Sequence, residues 1–193
     1  VAGGDMYSHS CGLASGVAYC WGSNDYGQLG AGMDTEFTVV PTAVAGGHTF
    51  TAISLGDGFT TALTASGTVY AWGRNTQGQL GDGTTVDSPV PVPVMGGHSF
   101  SAISAGGSHV LALSAGDGHL YAWGENHYGQ LGVGATGGTY TQPERITDST
   151  DEPYVFDAIS AGGQHSAALK NGVIHTWGRS HQGQIGDGFG LTR

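Results

Sequence analysis

The stretch "WGSNDYGQLGAG", residues 21–32, decides how this chain is read. It returns as "WGRNTQGQLGDG" at 72–83, "WGENHYGQLGVG" at 123–134 and "WGRSHQGQIGDG" at 177–188. The tryptophans stand 51, 51 and 54 residues apart. A fixed period of that length marks a repeat architecture, in which each unit buries its apolar face against its neighbours. Each copy carries four glycines in twelve residues, as tight turns and close backbone approach require. Gly27, Gly78, Gly129 and Gly183 head the G-Q-L-G core of the motif and are read as structural. Asn24, Asn75 and Asn126, with Ser180 in the last copy, fit a turn position whose side chain bonds local backbone. Leu29, Leu80, Leu131 and Ile185 are expected to plug each turn into the core. The rival reading, a glycine-rich phosphate cradle, fails because neither a lysine nor a helix follows the glycines.

Upstream of each motif lies a second shared stretch: "HSCGLASGVAYCWG", "FTTALTASGTVYAWG", "HVLALSAGDGHLYAWG" and "HSAALKNGVIHTWG". A third precedes three of these: "FTAISLGDG", "FSAISAGGS" and "FDAISAGGQ"; the opening "VAGGD" reads as a clipped copy of it. Short β-prone runs end in glycines, Ala-Ser-Gly marks tight hairpins, and "TVVPTAV", "SPVPVPV" and "TQPERI" are proline-marked outer strands. No 3.6-residue period is visible. About four short strands per repeat predict an all-β chain, a β-propeller of four-stranded antiparallel blades with about four blades present. The repeats fall at 1–49, 50–99, 100–155 and 156–193 within a single domain, 1–193. Trp21, Trp72, Trp123 and Trp177 then occur once per blade at the end of one strand, which suits a structural seam; the rival is a stacking platform for sugars or bases.

The combination A-G-G-x-H-x-x-A-L followed by V-Y-A-W-G-x-N-x-x-G-Q-L-G-x-G resembles the regulator-of-chromosome-condensation repeat family, over essentially the whole chain. The resemblance implies a propeller with four-stranded blades, usually seven of them. The "HSCGL…AYCWG" form is similar to secreted bacterial members, in which a Cys pair recurs at these slots. The founding eukaryotic member of the family exchanges nucleotide on a small GTPase and sits on chromatin. The basic character for chromatin is lacking here, so that role is not expected. Nor is the role of the family's plant ultraviolet photoreceptor, whose tryptophans lie in a G-W-R-H-T motif; the matching positions read "GGSHV" and "GGQHS".

Composition narrows the partners. Fifteen acidic residues stand against five basic ones, for a net charge of −10. Arg74, Arg145, Lys170, Arg179 and Arg193 never cluster, which argues against nucleic acid and against a polybasic membrane patch. No apolar run approaches the ~18 residues of a membrane span, so no membrane insertion is expected. The chain begins at Val without a visible signal peptide and reads as a mature or trimmed product. His9, His109 and His165 share a slot that Phe59 fills elsewhere, which favours packing or hydrogen bonding over metal ligation. His48 and His98 recur one per blade and would not converge on an ion. Asp82 and Asp187 share a slot with Ala31 and Val133 and read as turn residues. Ser54, Ser104 and Ser160 sit in one repeat slot and read as architecture; there is no G-x-S-x-G elbow. No catalytic residue, metal or cofactor is expected.

Binding is the better prospect. Two positions vary inside the constant turn frame: Asp25-Tyr26, Thr76-Gln77, His127-Tyr128 and His181-Gln182. A rigid frame that displays variable polar and aromatic side chains suits recognition, although solvated turn residues also drift. A second candidate surface is "GATGGTYTQ" at 134–142 with the acidic "TDSTDEP" at 147–153. The expected function is a secreted or cell-surface structural and binding module for a protein or polymer; the alternative is an enzyme or enzyme regulator using the propeller face. Cys11 and Cys20 are the only cysteines. With Ser15-Gly16 as a two-residue turn they face each other at a non-hydrogen-bonded pair, which predicts a disulfide and an extracellular, periplasmic or cell-surface location. Two buried free thiols are the alternative. Open blade ends at both sides of a four-blade arc predict a longer propeller or self-association of copies.

Overall fold

The computed structural model describes residues 2–3, 8–148, 150 and 152–188. Most of the opening "VAGGD", Ser149 and Asp151 of the acidic stretch, and the closing residues 189–193 lie outside the described residues. The chain is all-β, and its strands form four separate antiparallel sheets. The first holds β1 (Ala2–Gly3), β2 (His9–Ala14), β3 (Val17–Ser23) and β4 (Phe37–Ala43) in sequence order. The second holds β5 (Phe50–Leu55), β6 (Phe59–Thr64), β7 (Val69–Gly73) and β8 (Ser88–Pro93). The third holds β9 (Phe100–Ala105), β10 (His109–Ser114), β11 (Leu120–Glu125) and β12 (Thr139–Arg145). Three strands make the fourth: β13 (Ala158–Ala161), β14 (His165–Lys170) and β15 (Val173–Gly178). Each sheet is one propeller blade.

Continuous burial along the central strands marks the blade core. In β6 every residue from Phe59 to Leu63 is buried, and in β10 every residue from His109 to Leu113, because both faces are covered by neighbouring blades. Proline at β8 and β12 falls on outer strands, where a missing N–H costs no ladder bond. In β2–β3 the two-residue turn puts Ala14 opposite Val17 and Cys11 opposite Cys20. A disulfide joins this last pair, with Cα atoms 4.1 Å apart. Ser15 turns with φ 50° and Gly16 with φ 81°. Positive φ at both central residues is what a twist-matched hairpin demands.

The blades are joined by one recurring seam. The Trp72 indole N–H donates to the Gln28 carbonyl (2.9 Å), Trp123 to Gln79 (3.0 Å) and Trp177 to Gln130 (2.9 Å). The acceptor belongs to the G-Q-L-G turn of the preceding blade. Glycine after the Leu makes room for the ring: a Cβ on Gly30 would lie 2.6 Å from Trp72 Nε1, and one on Gly81 2.7 Å from Trp123 Nε1. Trp72 and Trp123 are fully buried. Ser54 Oγ accepts from Ala105 N (3.0 Å), and Ser104 Oγ from Ala161 N (2.9 Å), so the serine slot also stitches blade to blade.

A second layer of the seam alternates in chemistry. His9 Nε2 donates to Thr60 Oγ1 (2.8 Å), and the Thr60 hydroxyl in turn donates to the Gln28 carbonyl (3.1 Å). His109 Nε2 likewise meets Ser166 Oγ (2.9 Å), which donates to the Gln130 carbonyl (2.7 Å). Between blades two and three the same slots hold Phe59 and Val110, which pack in one apolar cluster. An imidazole is therefore matched by a hydroxyl in the next blade, and a phenyl ring by a valine.

His109 is wholly buried, and its Nδ1 has no hydrogen-bond partner. Burial, and secondarily the nearby His165, lower its pKa from 6.5 to about 3. Between those two pH values the unfolded chain holds a proton on this ring and the folded chain does not. Stability is therefore complete above the unfolded pKa and declines as pH falls towards the folded one. The His109 contribution to that loss is on the order of 4 kcal/mol between pH 7 and pH 3. Replacing the pair by His109→Phe with Ser166→Val, which copies the Phe59–Val110 seam, is expected to flatten this part of the stability profile in urea titrations at successive pH values. Trp123→Ala removes both the indole bond and a buried ring, and is expected to cost about 3–5 kcal/mol. Trp177→Ala, at a half-buried site, is expected to cost less; equal thermal midpoints for wild type and Trp123→Ala would refute the seam role.

Candidate binding face

The two ends of each blade differ. The hairpin turns at 15–16, 65–67, 115–118 and 171–172 lie at one end. At the other lie the W-G turns and, in blades two to four, the loops between first and second strands. A Cβ on Gly73, at the end of β7, would sit 2.5 Å from the Gly58 carbonyl of the β5–β6 loop, which fixes this grouping. All four variable pairs stand at this second end.

Each of the first three turns is held from within by its Asn. Asn75 Oδ1 accepts from Leu80 N (2.9 Å) while its Nδ2 donates to the Val86 carbonyl (3.1 Å), so one side chain closes a loop of a dozen residues. Asn24 and Asn126 do the same through Leu29 and Leu131. Gln28 Oε1 accepts from Tyr26 N (2.9 Å), with equivalents at Gln79, Gln130 and Gln184. Gly27 (φ 77°), Gly78 (71°), Gly129 (77°) and Gly183 (74°) all need positive φ, and a Cβ on Gly27 would lie 2.5 Å from Pro89 Cα of the next blade. Leu29, Leu80 and Leu131 are completely buried. Asp82 accepts from Thr84 N (3.0 Å) and from Asn75 Nδ2 (3.1 Å), so it braces the turn.

Within each variable pair the two residues behave differently. Asp25, Thr76, His127 and His181, the first of each pair, are exposed. In the first three blades the second reaches the next blade. The Arg74 guanidinium lies 5.3 Å from the Tyr26 ring centre, and that of Arg179 lies 5.1 Å from Tyr128. Gln77 Oε1 accepts from Thr139 Oγ1 (3.2 Å). Gln182, on the last blade, is exposed. Tyr26, Gln77 and Tyr128 thus brace the seam at its rim, by cation–π attraction or a hydrogen bond. That bracing was not visible from the turn motif alone, since each partner lies about a blade away in sequence.

A polar depression of about 530 Å³ opens at the same end, lined by Asp57, Ser108, Glu125, His165 and Arg179 among others. Asp25, Asp34 and Glu36 line a separate depression beside the first turn, so this end carries more carboxylates than Arg74 and Arg179 balance. Among the described residues no group of three or more His, Cys, Asp or Glu is placed to hold a metal ion. His48 and His98 pack at a tilt against Tyr70 (4.1 Å between ring centres) and Tyr121 (4.6 Å). The insert at 134–142 contributes part of β12 and the Gly137 amide that bonds the Asn126 carbonyl (2.7 Å), and Thr147 bridges Pro153 in the acidic stretch.

With this geometry in hand, the comparisons with known proteins are specific. The model of the regulator of chromosome condensation (RCC1) repeat matches residues 15–63, 66–113 and 117–169. The ultraviolet-B receptor UVR8 of Arabidopsis thaliana is 35% identical over 197 residues, covering 96% of this chain and 44% of the receptor. The human E3 ubiquitin-protein ligase HERC2 is 32% identical over 184 residues, which is 91% of this chain and 4% of the ligase. The chain thus spans less than half the length of these relatives. Human WBSCR16 superposes with a TM-score of 0.78 at 25% identity, covering 89% of this chain and 45% of that one. Yeast RCC1 (Prp20), in its complex with Kap60, superposes with a TM-score of 0.77 at 24% identity, covering 95% and 45%. The repeated motif, the four-sheet architecture and these matches agree: the chain belongs to the RCC1 repeat family.

Proposed function

We propose that this chain is a non-enzymatic binding module that engages a protein through the end of the propeller bearing the W-G turns. The observation that carries the reading is the division of labour in the first three turns. One variable residue stays exposed while constant Asn, Gln and Gly residues hold its backbone, so contact residues are presented in a preset geometry with little ordering cost on binding. The carboxylate excess at that end favours a partner with a basic surface. Relatives lend support by kind: one solved structure of the fold is yeast RCC1 bound to Kap60. The Cys11–Cys20 pair favours a secreted or cell-surface setting, where disulfides persist.

A photo-crosslinker at position 25, 76, 127 or 181 is expected to capture one protein from the source's surface fraction. The same crosslinker at 116 or 171, at the opposite end, is expected not to. Asp57→Lys with Glu125→Lys is expected to weaken that capture at low salt by about tenfold or more. Equal capture from both ends refutes the reading. For the location, thiol titration of the denatured, unreduced protein is expected to find no free thiol; two free thiols would remove the support.

A further inference from the structure

Two arginines stand at equivalent places in the turns of blades two and four. Each lies over a tyrosine of the blade before, Arg74 over Tyr26 and Arg179 over Tyr128. Their remaining bonds differ. Arg74 Nε donates to Thr76 Oγ1 (3.1 Å) in its own turn. In blade four His181 holds the place of Thr76, and Arg179 Nε is buried with no hydrogen-bond partner. Arg179 Nη1 donates to Gln164 Oε1 of the β13–β14 loop. A donor shut away from water without an acceptor is costly. A guanidinium pinned between a ring face and a carboxamide is well placed to take a planar, two-oxygen acceptor.

The polar depression of about 530 Å³ around this arginine carries the opposite charge as well. Glu125, from blade three, lines it and makes no ion pair with Arg179. Asp57, from blade two, reaches it over Gly107, where a Cβ would stand 2.5 Å from the Gly163 carbonyl oxygen and 3.2 Å from Asp57 Oδ2. Glycine at that place leaves room for the carboxylate. Ser108 and Gln164 add a hydroxyl and a carboxamide to the wall. The volume is in the usual range of small-molecule sites.

We propose that this depression binds a free α-amino acid with a polar side chain. The ligand carboxylate accepts from Arg179, whose guanidinium turns on the Tyr128 ring to bring Nε to it. The α-ammonium donates to Glu125 and Asp57, and the side chain meets Ser108 and Gln164. A lysine side chain would leave Arg179 Nε without an acceptor, and a simple anion would face two carboxylates. A zwitterion satisfies both halves. A residue at the end of a peptide carries one of the two charges, not both. The site needs no protein partner, so it stands or falls separately from the docking of a protein on this end.

The test is calorimetric titration of the 193-residue chain with L-glutamine, N-acetyl-L-glutamine and L-glutamine α-amide. Saturable binding of L-glutamine is expected, and each blocked form is expected to bind at least about tenfold more weakly. Arg179→Lys keeps the charge but removes the Nε donor, and is expected to weaken L-glutamine by about tenfold. Arg74→Lys, at the equivalent stack, is expected to leave binding unchanged. His181→Thr copies the blade-two turn and gives Nε an acceptor inside the protein. It is expected to weaken binding severalfold with the thermal midpoint unchanged, which separates the effect from a folding defect. Asp57→Asn with Glu125→Gln is expected to bring L-glutamine down to the level of its N-acetyl form. An absence of saturable binding in the millimolar range overturns the proposal. So does equal binding of L-glutamine and N-acetyl-L-glutamine, or an equal loss from Arg179→Lys and Arg74→Lys. Full affinity in His181→Thr overturns it too.

Discussion

One hydrogen bond organises the molecule: a tryptophan indole donates to the main-chain carbonyl of the glutamine in the preceding blade's G-Q-L-G turn. That carbonyl is at the end of a tight turn, so its direction is set by the turn. The turn in turn depends on Asn24, Asn75 or Asn126 spanning it, and on glycine where the ring presses. A substitution at any of these positions acts through the same bond. This is why the motif is so nearly uniform across three seams while the strands around it vary.

Around that constant bond the seams tolerate two chemistries. The imidazole–hydroxyl seam is polar, and its hydrogen bonds run from ring nitrogen to hydroxyl to carbonyl. The phenyl–valine seam is apolar. Histidine placed opposite valine would bury a donor without an acceptor, at a cost of about 1–3 kcal/mol. Alternative chemistries at otherwise similar seams discourage wrong pairings between blades, a recurrent hazard in repeat proteins.

The fold was legible because the period is long, regular and punctuated by glycine. Short β-prone runs such as "TAIS" and the proline-marked outer runs admit an antiparallel reading once the repeat is seen. The candidate face was less legible. The turn motif separates constant from variable positions, yet it cannot say that Tyr26 will lie under Arg74 or Tyr128 under Arg179. Nor does a lone His9 reveal Thr60, which lies 51 residues away. Such pairs arise where blades meet, and single-chain periodicity carries information only within a blade.

The direction of the tryptophan bond has a bearing on how the chain comes to be built. At every seam the acceptor turn precedes its donor, by 44 residues at Gln28–Trp72 and by 47 at Gln130–Trp177. During synthesis the receiving surface is therefore complete before the incoming ring leaves the ribosome. Each new blade can settle on a finished one as it emerges, with no wait for distant sequence, and the array grows from its amino-terminal end in the order in which it is made.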